Sequence, residues 1–126
     1  MHVNPANIIL FEGLMAFHDE RIRNMMTYKI FINCDDDIRL CRRLKRDTTE
    51  RGRTVVSVLK QYNLFVKNAF RDFIYPTISY ADLVIPGQRN NRISVDFIVQ
   101  HIKNMAKKIN IFEKAHKTKV FMFGEN

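Results

Sequence analysis

Six of the chain's 11 arginines, Arg39, Arg42, Arg43, Arg46, Arg51 and Arg53, fall within fifteen consecutive residues. A guanidinium is planar, always charged, and presents paired donors that grip a phosphate or carboxylate in two places. On a helix Arg39 and Arg43 share a face, as do Arg42 and Arg46, and Arg43 and Arg46 lie three apart. Beyond a turn near Glu50, Gly52 lets the backbone fold back, so that Arg51 and Arg53 return toward the same anion. Such a set suits the neutralisation of charge on phosphoryl oxygens. It equally suits a solvated helix whose arginines pair with Asp35, Asp36, Asp37, Asp47 and Glu50, and charge spacing alone leaves both readings open.

Other reactive residue types carry less. His2, His18, His101 and His116 lack the spacing of metal ligands and read as incidental. Cys34 and Cys41 match neither a zinc site nor a redox pair, which points to reduced thiols in the cytosol or nucleus. The lysines thicken toward the end, at Lys103, Lys107, Lys108, Lys114, Lys117 and Lys119, and read as a solvated tail. The formal net charge of +8 implies an anionic partner. A nucleic acid is disfavoured, because no aromatic residues interleave with the arginines to stack bases. No apolar run approaches the roughly 18 residues of a membrane span, and the first residues lack the pattern of a secretory signal.

The elements that must position these residues follow from apolar patterning. Asn7–Phe11 and Lys29–Asn33 are short apolar runs of the kind buried on both faces of a parallel sheet, and Asp82–Pro86 is a third. Asp19 to Met26 forms a short helix. Asp35, Asp36 and Asp37 make a strong N-terminal region for a helix starting near Ile38. From Val55 to Ile74 apolar residues recur with helical period until Pro76 stops them, and Tyr62 and Phe65 read as core. Ser94 can cap a last helix that carries Val95, Ile98, Ile102, Met105 and Ile109 on one face. The order strand, helix, strand, helix, helix, strand, helix predicts an α/β fold with a parallel sheet. With 126 residues there is room for one domain; the resemblance described below implies that it covers 1–109, with a charged lid at about 36–56. Residues 110–126 form a basic tail whose Phe121-Met122-Phe123 either docks or stays disordered.

Several segments resemble the uridine–cytidine kinases in order along the chain. Phe11-Glu12-Gly13-Leu14-Met15-Ala16-Phe17 is similar to their FEGI-AF segment, and Asp35 to Arg53 to their D-D-RL-RR--RD--ERGR lid. Lys60-Gln61-Tyr62-Asn63 with Phe65-Val66-Lys67 resembles their QY--FVKP block, and Pro76-Thr77, Tyr80-Ala81-Asp82 and Phe97–Ile102 continue the match. The resemblance implies a partial P-loop nucleoside kinase fold and transfer of the γ-phosphoryl of ATP to the 5′-hydroxyl of uridine or cytidine, in the cytoplasm, as part of pyrimidine salvage. It implies that Arg46 and Arg51 close over the ATP phosphates as the catalytic lid arginines. Arg43, Arg53 and Gln61 hold the nucleoside, and Glu12 approaches magnesium through water. Two positions depart: Asn68 stands where the family has proline, and Asn90 replaces an aspartate associated with the adenine end of ATP.

A phosphate-binding loop needs G-x-x-x-x-G-K-[ST], so that backbone N–H groups and a lysine cradle the phosphates. None of the four glycines, Gly13, Gly52, Gly87 and Gly124, begins such a motif. The family's catalytic aspartate also lies upstream of the matching segments. The resemblance therefore implies a C-terminal portion that lacks the phosphate-loop strand and does not turn over alone. It implies further an oligomer or a partner kinase chain, and a non-catalytic protein that docks on an intact kinase is the alternative. In the family the phosphate-loop strand runs between those matching Ile8–Phe11 and Lys29–Asn33. Its loss predicts that these two strands meet directly or leave unpaired edges.

Overall fold

The computed structural model describes residues 8–88, 91–111 and 119–124. In chain order the elements are β1 (Ile8–Glu12), α1 (Glu20–Met25), β2 (Tyr28–Asn33), α2 (Asp36–Thr49) and α3 (Val55–Gln61). A continuous helical path then runs through a π-helical turn (Tyr62–Val66), α4 (Lys67–Ala69), a second π-helical turn (Phe70–Ile74) and a 3₁₀ stretch (Tyr75–Tyr80). It is followed by β3 (Leu83–Pro86), α5 (Arg92–Ile111) and β4 (Lys119–Gly124). The four strands form one parallel sheet in the order β1-β4-β2-β3. The expected α/β class with a parallel sheet is what the chain adopts.

The sheet is covered on both faces around β2, as a parallel sheet requires. Successive residues of β2 point to opposite sides. Phe31 packs with Ala16, Phe17 and Met26 on one face, joined by Ile78 and Ala81. Ile30 packs with Ile85 and Ile98 on the other, joined by Ile32, Leu83 and Ile102. Entry into β3 is fixed by Asp82, whose carboxylate accepts from the Lys29 backbone N–H at 2.8 Å and pairs with the Lys29 ammonium at 3.1 Å. At the far end Gly87 donates its N–H to the Asn33 carbonyl at 2.6 Å. A Cβ there would come within 3.0 Å of the Ile32 side chain and 3.1 Å of Cys34, so glycine permits the close approach.

Three expectations change. The gap between β1 and β2 is neither closed nor left open: β4 fills it, pairing Ile8–Glu12 with Lys119–Phe123 on one side and Tyr28–Phe31 with Phe121–Gly124 on the other. An apolar segment that satisfies two rows of backbone N–H and C=O groups at once is favoured over two bare edges. Phe65 is not core. It is 66% exposed, and in the stretch from Val55 to Ile74 only Val58 is fully buried. The two π-helical turns hold an extra residue per turn and rotate the apolar stripe away from one continuous face. Ser94 is not the cap of α5, which begins at Arg92 with the Asn91 carbonyl accepting from the Val95 N–H.

Candidate phosphate-binding site

α2 leaves the carboxyl end of β2 after two residues, which places its charged side chains at the edge of the sheet where ligands bind in parallel α/β proteins. Asp36 and Asp37 occupy its first turn, where the helix dipole favours anions. Gln88, in the loop after β3, donates to the Asp35 carboxylate at 2.8 Å and ties that loop to the helix start. Two arginines are used here for support. Arg39 pairs with Asp36 and lies over the Phe70 ring at 3.4 Å, and Arg42 sits 3.7 Å from the Cys34 sulfur.

The other four converge. α2 ends with the Glu50 N–H bonded to the Arg46 carbonyl, and Gly52 then adopts a left-handed φ of 61°. That reversal returns the chain, so that the Arg53 N–H bonds the Asp47 carbonyl at 3.0 Å. Thr54 caps α3 by accepting from the Ser57 N–H at 3.2 Å. The outcome is a cluster built on Asp47, whose side chain is 0% exposed. Its Oδ1 accepts from Arg46 Nε at 3.0 Å and Arg51 Nη1 at 3.2 Å. Its Oδ2 faces Arg53 Nη1 at 3.5 Å and Arg43 Nε at 3.7 Å, and is held by charge without a formed hydrogen bond. Gln61 on α3 closes the group: its Oε1 accepts from Arg43 at 3.1 Å and Arg53 at 2.5 Å.

Electrostatics keep Asp47 ionised. Burial alone would raise its pKa, but the hydrogen bond from Arg46 and the charges of Arg46, Arg43 and Arg51 outweigh it and hold the carboxyl below its usual range. Four guanidinium charges around one carboxylate leave a strong positive excess that a polyphosphate can satisfy. The four also differ in access. The Arg46 and Arg51 side chains are 44% and 55% exposed, whereas Arg43 and Arg53, bonded to Gln61, are 24% and 31% exposed. The cluster can thus offer two open cations outward and a more enclosed, amide-lined pair behind. An ionised Asp47 only accepts hydrogen bonds here, so the chemistry on offer is charge neutralisation and positioning.

The structure therefore brings five of the expected residues, Arg43, Arg46, Arg51, Arg53 and Gln61, into one group. Glu12 stands apart. It ends β1, exposed, at the same carboxyl edge and two strand spacings from β2, which is about 9.6 Å. Among the described residues no three His, Cys, Asp or Glu side chains group to hold a metal ion. Glu12 alone suits the indirect, water-mediated contact magnesium accepts, and not a protein cage. Asn90 lies outside the described residues. Asp47 was open in the sequence only as one of several acids. Its distinguishing signal is spacing, four residues after Arg43 and four before Arg51, directly beside Arg46.

The model of the "Phosphoribulokinase / Uridine kinase family" matches residues 1–94. The chain is 54% identical over 100 residues to "Uridine kinase-like protein 3" of Arabidopsis thaliana, covering 79% of this chain and 22% of that protein. It is 43% identical over 119 residues to "Uridine-cytidine kinase 2-B" of Danio rerio, covering 90% of this chain and 46% of that protein. With "Uridine-cytidine kinase A" of Dictyostelium discoideum it shares 46% identity over 101 residues, 80% of this chain and 20% of that protein. The chain spans about a fifth of the length of the plant relatives it matches. Among the described residues no helix is long and apolar enough to cross a membrane.

Proposed function

Because the chain belongs to the phosphoribulokinase / uridine kinase family, we propose that it carries the lid of an ATP-dependent kinase that phosphorylates uridine or cytidine to UMP or CMP. The observation that supports this reading is the convergence of four arginines and Gln61 on buried Asp47. In phosphoryl transfer the migrating group carries charge on its equatorial oxygens, and catalysis consists largely of positioning and neutralisation. Arg46 and Arg51, the more exposed pair, neutralise the ATP phosphates. Arg43, Arg53 and Gln61 hold the nucleoside, with Gln61 fixing both guanidiniums and so the shape offered to it. Glu12 would hold water beside a bound magnesium ion, and Asn90 serves the adenine end. Magnesium supplies further charge neutralisation when bound.

The 126 residues contain no G-x-x-x-x-G-K-[ST]. On this reading turnover requires a phosphate cradle that these residues do not provide, and the isolated chain makes no UMP. Incubation with uridine, ATP and magnesium tests that statement directly, and UMP above background overturns it. The lid assignment has a separate test. Addition of inorganic tripolyphosphate is expected to slow amide hydrogen exchange between residues 43 and 61, and Arg46→Ala and Arg51→Ala each weaken the effect. Protection elsewhere with none in this segment removes the assignment.

A second role, docking on a further kinase chain, is favoured by one observation. Ile9, Leu10, Phe11, Leu14 and Met15 are large, apolar and exposed along β1 and the turn after it. Contiguous apolar surface of this kind marks interaction sites. Failure of a full-length family kinase to retain the chain in a pull-down at micromolar concentration counts against this role. The proposed setting is the cytoplasm, whose reducing conditions suit the free thiols of Cys34 and Cys41.

A further inference from the structure

The two carboxylate oxygens of Asp47 are used unequally. Oδ1 accepts two hydrogen bonds, from Arg46 Nε at 3.0 Å and from Arg51 Nη1 at 3.2 Å. Oδ2 is buried and accepts none, although Arg53 Nη1 lies at 3.5 Å and Arg43 Nε at 3.7 Å. Arg43 Nε is itself buried and unbonded, so a donor and an acceptor of opposite charge face each other just beyond bonding distance. Buried polar groups without partners cost free energy, and a carboxylate that turned toward Arg43 would satisfy both at once.

The outer pair holds it away. The side chains of Arg46 and Arg51 are half-exposed and bond to no side chain but Asp47 among the described residues. The inner pair is anchored independently: Gln61 accepts from both Arg43 and Arg53, and the Arg53 backbone N–H bonds the Asp47 carbonyl. A polyphosphate offers each outer guanidinium a two-point acceptor in place of one shared oxygen, and can take both without disturbing the inner anchors.

We propose that Asp47 is a positioning residue that exchanges partners: it holds Arg46 and Arg51 back in the anion-free chain, yields them to a bound polyphosphate, and turns its carboxylate to Arg43 and Arg53. This rests on the reading of Arg46 and Arg51 as the phosphate-facing pair. The exchange leaves no charge alone, because phosphate oxygens satisfy the two guanidiniums that depart while Oδ2 and Arg43 Nε gain the bond they lack. An anion on the outer pair thereby tightens the inner pair, and the two halves of the site are coupled through one carboxylate.

The arginine Nε–H resonances of the full chain report the exchange directly, with Arg43→Lys and Arg46→Lys chains used to assign the two signals. Inorganic tripolyphosphate is titrated in, against sodium chloride at equal ionic strength. The expected result is that the Arg46 signal shifts as it leaves Asp47, while the Arg43 signal shifts at the same midpoint and exchanges more slowly with solvent. Amide protection in residues 43–61 with the Arg43 signal unmoved overturns the exchange and leaves the anion site standing. No protection and no movement of either signal removes both. Asp47→Asn gives an independent reading through its direction. Loss of the competing charge frees Arg46 and Arg51, so tripolyphosphate should bind severalfold more tightly than in the parent. A residue that merely props the helix end predicts weaker binding, and that outcome overturns the proposal. Should Asp47→Asn not fold, the parent spectra alone decide.

Discussion

At the scale of single residues Asp47 decides how the arginine cluster behaves. It is the one buried carboxylate among four arginines, and without its charge those cations face each other across a site with no counter-ion. Asp47→Asn preserves the shape and removes the charge. It is expected to lower the melting temperature and speed hydrogen exchange at Arg53, whose N–H bonds the Asp47 carbonyl, while Asp72→Asn at the exposed Arg71 pair changes neither. Acid titration should show the same group. Its folded-state pKa lies below the unfolded value, so its stabilisation is complete above about pH 4 and is lost as pH falls through the depressed pKa. Urea unfolding followed from pH 6 downward should therefore lose stability more steeply in the parent than in Asp47→Asn. Identical slopes would mean that the ion cluster contributes nothing to folding. For ligand contact the informative variant is Arg46→Ala. A charge-assisted hydrogen bond is worth about 1.5–3 kcal/mol, so tripolyphosphate affinity should fall roughly tenfold to a hundredfold.

At the scale of elements the proposed lid is two helices joined by one reversal, and its geometry rests on two small residues. Gly52 sits at φ 61°, a conformation that costs a residue with a Cβ about 1–2 kcal/mol. A Cβ there meets nothing within 4 Å, so the cost of Gly52→Ala is backbone strain without a clash. Thr54→Ala removes the α3 cap and should cost about 1 kcal/mol. Calorimetry should find each change lowering the midpoint by about 4 °C per kcal/mol. Gly52→Ala alone should also weaken anion binding, because it moves Arg51 and Arg53 relative to α2, whereas Thr54→Ala acts on α3 only. The start of α2 was legible in Asp35, Asp36 and Asp37, and that of α3 in the apolar recurrence from Val55, while the Thr54 cap was not read. The π-helical turns were not, because they keep the same residues on the helical path and change only the rotation between them.

At the scale of the whole molecule the sheet holds two halves together through one strand. Phe31, 1% exposed, anchors the face opposite α5, and Phe31→Ala should cost about 3–5 kcal/mol, read as a loss in the urea midpoint. Disruption of β4 acts differently. Phe121→Asp places a charge in the strand that separates β1 from β2 and should release amide protection in Ile8–Glu12 before the β2–β3 pair opens. Simultaneous loss of protection across all four strands would show instead that the sheet melts as one unit.

The chain's sequence by itself determined the α/β class and the family, and the family pattern singled out Arg43, Arg46, Arg51 and Arg53 from six clustered arginines, because buried-strand runs, helix starts and the RRLKRD…ERGR spacing are local signals. Apolar content marked Phe121-Met122-Phe123 as able to dock, but nothing local named the place. Only the tertiary structure decided that Lys119–Gly124 runs between β1 and β2, since pairing partners separated by most of the length of the chain leave no short-range trace. It also decided that Asp47, one acid among several by charge pattern, is the buried centre on which Arg43, Arg46, Arg51 and Arg53 converge. Spacing along a helix says which side chains share a face, but burial of that face depends on the return of the chain through Gly52 and on the packing of α3 against it.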